Sequence, residues 1–112
     1  MPFDGKEFEV ELSETTKLLI AGKERIEKGW CKGMLHQRTL LLGHKYCMLG
    51  AVWGRSGSIR AASLLMECVP DKSIAQFNDA RKRTKDEVLA VFDNAIQLSK
   101  AKDLEDAITH NV

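Results

Sequence analysis

The sequence has few cysteines, no long apolar run and almost no net charge. Its three cysteines, Cys31, Cys47 and Cys68, are too few and odd in number for a secreted disulfide framework. No apolar stretch approaches the roughly 20 residues that a membrane span requires, and the N-terminus lacks the basic start and apolar run of a signal peptide. We therefore expect a cytoplasmic protein with reduced thiols and no membrane partner.

The charge is balanced, with 17 basic and 16 acidic residues and a net charge of +1. Such a chain has no overall field that would attract polyanions, whereas dedicated nucleic-acid binders usually carry a basic excess. The 112 residues, 44% of them hydrophobic, suit one domain with its own core. We predict a single domain with an N-terminal extension over 1–12, a core over 13–100 and a C-terminal helix end or tail over 101–112.

In the first half of the chain, most apolar residues recur at the spacing of an α-helix. Ser13 is a good N-cap for a helix that stops at Gly29, where glycine accepts a left-handed conformation. Gly22 lies inside this helix and is expected to permit a close helix contact. A short buried helix is predicted within 46–53, and Ser58 is predicted to cap another helix that runs to about Cys68.

The second half contains the clearest helix signal. Thr84 and Glu87 have the spacing of a capping box, in which each side chain accepts from the other residue's backbone amide. The helix that follows carries a long apolar face and continues toward Ile108. Asn78 and Asp79 are predicted to form a loop before it. The expected core residues are Leu19, Ile26, Cys47, Leu49, Leu65, Phe77, Val88, Val91, Phe92 and Ile96.

The segment between the first two helices leaves the fold class open. It contains Gly33 and Gly43, which favour breaks in regular structure. The segment is predicted to form either two short strands joined by a turn near 36–38 or a loop with partial strand. The expected fold is therefore mainly α, a single compact helical domain. The alternative is an α+β fold, with a short two-stranded element near residues 30–45.

Five short strings carry a resemblance to a known family. They are GWCKG at 29–33, YCMLGA at 46–51, IAQFND at 74–79, RTKDEVL at 83–89 and FDNAI at 92–96. In this order the chain resembles, over about residues 13–100, a family of small bacterial and phage proteins defined only as a domain of unknown function. The family pattern is GWxxG, CxLGA, FND and RTxxEVLxxFDxAI. The resemblance implies a compact helical domain and implies no activity or functional residue.

Two hypotheses place chemistry on the cysteines. Cys31, His36, His44 and Cys47 lie within 17 residues and are suitable zinc ligands, although only His44 and Cys47 have the usual close spacing. Alternatively, Cys47 could be a nucleophile activated by His44, with Asn78 or Asp79 orienting the histidine. The competing interpretation of both cysteines is that they are small buried hydrophobes. We expect no cofactor, with zinc as the alternative.

A third hypothesis concerns the basic run from Arg81 to Lys85. Free amides at a helix N-terminus together with Arg81 and Arg83 could bind an anion, with Asn78 and Asp79 forming a polar pocket floor. A solvated loop neutralised by nearby acids explains the same run. Arg83 could equally hold the Asn78–Asp79 turn in place, which would be a structural role.

The functional expectation is a non-enzymatic binding module of accessory or inhibitor type that acts through a protein partner. The first alternative is a small cysteine- or metal-dependent enzyme centred on Cys47. The second is an anion or nucleic-acid binder that uses Arg81–Lys85. The sequence names neither the partner nor the oligomeric state.

Overall fold

The computed structural model describes residues 10–71 and 73–110. Within them the elements follow in the order α1 (Glu14–Lys28), β1 (His36–Thr39), β2 (Gly43–Tyr46), α2 (Met48–Val52), α3 (Ser58–Cys68), α4 (Ile74–Asp79) and α5 (Lys85–His110). The two strands form one antiparallel sheet. The prediction of a mainly helical domain with a short two-stranded element is confirmed. No helix in the described part of the chain is both long and apolar enough to cross a membrane.

The core forms where α1, α2 and α3 meet the first half of α5. All the predicted core residues are buried except Leu49, which is only half-buried. Gly22 makes the predicted close contact, because a Cβ there would lie 2.9 Å from both Phe92 Cε1 and Val52 Cγ1. This glycine allows α1 to approach α2 and α5 closely.

The predicted caps at Ser13 and at Thr84 and Glu87 are present, but Ser58 does not cap a helix. Ser58 is the first residue of α3, and the N-cap residue Gly57 provides no side-chain hydrogen bond. The Ser13 hydroxyl accepts from the Thr16 amide at 3.2 Å. The Glu87 amide donates to Thr84 Oγ1 at 3.2 Å, while the Thr84 amide donates to Glu87 Oε1 at 2.9 Å. These reciprocal bonds satisfy amides that have no partner within the helix.

Gly29 ends α1 for a different reason from the predicted one. Its φ of −172° is extended rather than left-handed. A Cβ at this position would lie 2.4 Å from the carbonyl oxygen of His44. Glycine is required there because strand β2 passes so close to the end of α1.

The hairpin confirms the predicted strands but not the predicted turn. His36–Arg38, expected at the turn, belong to β1, and the chain reverses at 40–42. Thr39 sets this turn, since its hydroxyl donates to the Gly43 carbonyl and accepts from the Leu42 amide, both at 3.0 Å. Gly43 completes the reversal with a φ of +73°, which favours glycine.

The predicted loop at Asn78 and Asp79 is wrong, since both residues form the last turn of α4. The hydroxyl of Ser73 caps the start of α4 by accepting from the Gln76 amide at 3.0 Å. The Asn78 side chain reaches across to other segments instead of bending its own backbone into a turn. Tertiary contacts therefore override the local turn preference of this pair.

Candidate functional site

Asn78 is the most highly connected polar side chain at the predicted site. It is 1% exposed. Its Oδ1 accepts from the Trp30 indole at 2.8 Å and from the Met48 amide at 3.0 Å. Its Nδ2 donates to the Cys31 carbonyl and to Asp79 Oδ1, at 3.0 and 2.9 Å. Because every hydrogen-bonding position of the amide is used, Asn78 joins α4 to α2 and to the segment after α1.

Asp79 extends this network to the surface. Its Oδ1 accepts from the Gly33 amide at 2.9 Å as well as from Asn78. Beside it, Lys32 Nζ donates to the Ala80 carbonyl at 2.7 Å. These contacts give Asp79 a structural role in holding the segment that leads into β1.

Arg83 is also occupied by structural contacts. Its Nε donates to the Phe77 carbonyl at 2.8 Å, and its guanidinium lies 3.6 Å from the centre of the Phe77 ring. It forms ion pairs with Asp71 at 3.5 Å and Glu87 at 3.1 Å. Arg81, by contrast, is exposed. The structure thus brings Asn78, Asp79 and Arg83 to the end of α4, where each binds protein groups.

Cys47 lies at the N-cap of α2, where its Sγ accepts from the Gly50 amide at 3.3 Å. Burial raises the pKa of the Cys47 thiol, an effect that the hydrogen bond from Gly50 only partly opposes. Burial likewise raises the pKa of Cys31, and the nearby Cys47 and Asp79 add to that shift. A raised pKa reduces the thiolate fraction near neutral pH, and the thiolate is the reactive form.

A pocket of about 190 Å³ brings part of the predicted constellation together. Cys47, Asn78 and Asp79 all contribute to its lining, whereas His44 does not. The rest of the lining is mostly apolar and comprises Gly33, Met34, Leu35, Leu49, Ile74 and Ala75.

The four predicted zinc ligands do not form one cluster. His36 and His44 stack on the exposed hairpin with ring centres 4.8 Å apart, and His36 Nε2 lies 2.6 Å from His44 Nδ1. Cys31 and Cys47 are buried. Over residues 10–71 and 73–110, no group of three or more histidine, cysteine, aspartate or glutamate side chains is arranged to hold a metal ion.

A surface that the sequence hypotheses did not include lies beside the pocket. We call it the Trp53 face and define it by five apolar residues: Met34, Leu35, Leu49, Trp53 and Ile59. Trp53 is 60% exposed and Ile59 is 84% exposed. A second hollow of about 300 Å³ lies between Trp53 and Ile59, and Leu49 lines both this hollow and the Cys47 pocket. The two concave areas therefore adjoin.

The signal that marks this region in the sequence is the distribution of acidic residues. No aspartate or glutamate occurs between Glu27 and Glu67, while residues 28–66 include six lysines and arginines. The Trp53 face and the whole hairpin fall within this stretch. Overall net charge conceals the asymmetry, because the rest of the chain is acidic.

Comparison with known protein families identifies the family of this chain. A family model described as a family of unknown function (DUF6197) covers residues 11–98. The chain belongs to this family. The DUF6197 region extends from just before the Ser13 cap into α5 and so includes the hairpin, the Asn78 network and the Trp53 face. No curated protein and no solved structure matches the chain.

Proposed function

We propose that this DUF6197 protein is a non-enzymatic binding module that docks a protein partner on the Trp53 face. The observation that carries the proposal is the pair of adjoining apolar hollows that meet at Leu49, with Trp53 exposed at the edge. Contiguous exposed apolar surface commonly marks an interaction site in a soluble domain. An accessory or inhibitor role fits a module of this size.

The side-chain chemistry of the face suits a protein partner. Tryptophan and arginine are the residue types that most often dominate binding energy at protein interfaces. Trp53 is followed by Arg55 in the turn, and Arg60 lies on α3. Arg55 beside Trp53 favours a partner that carries an acidic group next to its apolar anchor. Asp79 in the adjoining pocket and Glu14, which bonds Ser56, favour polar or basic groups elsewhere on the partner.

The backbone beneath the face is well fixed. The Trp53 amide donates to the Gly50 carbonyl at 3.3 Å, and Arg25 donates to the Ala51 carbonyl at 2.7 Å. Gly54 and Gly57 then turn the chain into α3 with φ values of +72° and +85°. A pre-organised surface loses little conformational freedom on binding, which favours affinity.

Several observations support a binding role over an enzymatic one. Burial raises the pKa of the Cys47 thiol, and Arg83 is used to hold α4 and α5. All three cysteines are free, as expected for thiols kept reduced, and we therefore propose a cytoplasmic location.

Site-specific photo-crosslinking in the native cell tests the proposal. A photoreactive residue placed at Ser63, which is exposed and lines the Trp53 hollow, is expected to give a discrete adduct of higher mass. The same residue at Gln97, exposed on α5, is expected to give none. Trp53→Ser should reduce the Ser63 adduct at least about tenfold, because truncating an aromatic anchor of an interface typically costs this much affinity.

Met66→Ser is the matched control, since Met66 is also an exposed apolar side chain but lies outside the Trp53 face. It is expected to leave the adduct unchanged. Equal adducts from positions 63 and 97, no adduct at 63, or an adduct that persists in Trp53→Ser would each contradict docking on this face. Circular dichroism of each variant verifies that the fold is retained.

A further inference from the structure

The tip of the hairpin exposes three consecutive leucines. Leu40, Leu41 and Leu42, here called the leucine tip, are 103%, 96% and 68% exposed. The turn itself is set by the side chain of Thr39 and the backbone of Gly43. The leucines therefore contribute little to the turn or the core, although leaving them in water is unfavourable.

The hairpin holds this tip firmly on the body. The Tyr46 amide donates to the Gly29 carbonyl at 2.9 Å, and the Cys31 amide donates back to the Tyr46 carbonyl at 3.1 Å. On the strands, the His36 ring stacks on the Tyr46 ring with centres 4.7 Å apart. The leucine tip thus stands on an anchored base.

Cations surround the base of the tip. Arg38 precedes it on β1, and Lys45 follows it on β2. Lys28 is exposed at a hollow that Leu42 also lines, at the junction of α1 and the hairpin, while Arg25 in the same hollow is held by the Ala51 carbonyl. The acidic residues closest to the tip in sequence, Glu24 and Glu27, lie on α1, before the stretch that lacks acids.

We propose that the leucine tip inserts into the surface of an anionic lipid bilayer while the surrounding cations bind lipid headgroups. Apolar side chains combined with lysine and arginine give membrane-surface binding, in which the apolar part enters the headgroup and acyl boundary. Each nearby cation strengthens attraction to anionic lipid. The Thr39 bonds also satisfy polar groups of the turn, which lowers the cost of moving it out of water.

A lipid surface suits this tip better than a protein groove does. The three leucines project from a turn, and a protein partner would need a cavity shaped to receive them. A fluid bilayer requires only apolar side chains and complementary charge. The expectation of no membrane partner rested on the length of apolar runs, which bears on spanning a bilayer and not on surface contact. The proposed contact is separate from the Trp53 face.

Co-sedimentation of the full chain with vesicles tests the contact. We expect binding to vesicles of equal parts phosphatidylglycerol and phosphatidylcholine, and at least about tenfold weaker binding to phosphatidylcholine alone. Leu40→Ser with Leu41→Ser should weaken binding at least about tenfold. Arg38→Glu with Lys45→Glu should remove the preference for the anionic vesicles. Leu98→Ser with Leu104→Ser, two exposed leucines on α5, is the matched control and should bind normally.

A reporter variant, Leu41→Trp, gives a second measurement. Its emission is expected to shift to the blue on addition of the anionic vesicles and to become protected from aqueous iodide. No preference for anionic vesicles, equal loss in the α5 control, or an unshifted reporter would each overturn the proposal. In all three cases an acidic protein groove becomes the occupant to test. Trp53→Ser should retain vesicle binding, so failure here and failure of the Trp53 face can be distinguished.

Discussion

Asn78 shows how one residue can look functional in the sequence and prove structural in the fold. The Trp30 indole and the Met48 amide can only donate, and the Cys31 carbonyl can only accept. The orientation of the amide is therefore fixed by its neighbours. Those neighbours belong to two segments, the one after α1 and helix α2, so a single side chain on α4 links both of them to its own helix.

Asn78→Ala is expected to lower the free energy of unfolding by about 3 kcal/mol, because it leaves several buried donors and acceptors without partners. Urea unfolding followed by circular dichroism measures the change. Asn94→Ala removes the same side chain from an exposed position on α5 and should change stability by less than about 0.5 kcal/mol. Equal effects of the two substitutions would show that the Asn78 hydrogen bonds contribute little.

At the scale of elements, α2 and the segment before β1 lie in unusually close contact. A Cβ at position 50 would lie 1.8 Å from the Leu35 carbonyl oxygen. The Cys47 amide donates to this same carbonyl at 3.2 Å. Gly50 therefore lets α2 pack directly against the backbone that leads into the hairpin.

Gly50→Ala should destabilise the protein by at least about 2 kcal/mol, since the added methyl group meets backbone that cannot move independently. The comparison is Gly54→Ala, where no atom lies within 4 Å of the added Cβ and the φ of +72° alone opposes substitution, at about 1 kcal/mol. Urea midpoints of the two variants give the contrast. A Gly50 variant no less stable than the Gly54 variant would rule out the close approach.

The helix ends that could be predicted from the sequence are those set by hydrogen bonds between residues close together in the chain. The Ser13 cap and the capping box of Thr84 and Glu87 act over a few residues, so their patterns sufficed. The position of the hairpin turn was predicted wrongly. The turn depends on hydrogen bonds of the Thr39 side chain, and the residues at 39–43 do not match a common turn sequence. The Asn78–Asp79 loop was wrong because long-range partners outweighed a local preference.

The candidate site was less predictable than the fold. The chain does bring Cys47, Asn78 and Asp79 to one pocket, and Cys47 is buried as its place among the expected core residues predicts. No local pattern indicates that Arg83 would bind Phe77. The short buried helix predicted within 46–53 includes Trp53, because the apolar run around it suggests burial on every side. The 60% exposure of Trp53 follows from its position at the C-cap of α2, beside the turn into α3.

At the scale of the whole molecule, charge and apolar exposure are concentrated in the same part of the chain. Residues 28–66 contain both the Trp53 face and the leucine tip and carry six cations without an acid. The acidic residues lie outside this stretch, most of them on α1 and α5. The long α5, which accounts for most of the 53 Å length of the molecule, therefore presents a chemically different surface.

The start of α1 and the far part of α5 are joined by Asp103, which makes stability depend on pH. Burial opposes ionisation of Asp103, but hydrogen bonds from Thr16 Oγ1 at 2.6 Å and the Ser13 amide at 3.1 Å outweigh it and lower the pKa of this carboxyl. A lowered folded-state pKa stabilises the protein above the unfolded value of about 4, and this stabilisation is lost as pH falls through the folded value.

Asp103→Asn should therefore cost about 1 kcal/mol at pH 7 and progressively less on acidification. Urea midpoints for both proteins from pH 7 to about pH 2 measure the difference. Asp106→Asn, at an exposed position one turn further along, is the control and should change stability at pH 7 by less than about 0.5 kcal/mol. A constant gap between wild type and Asp103→Asn at all pH values would mean that ionised Asp103 does not hold the two helices together.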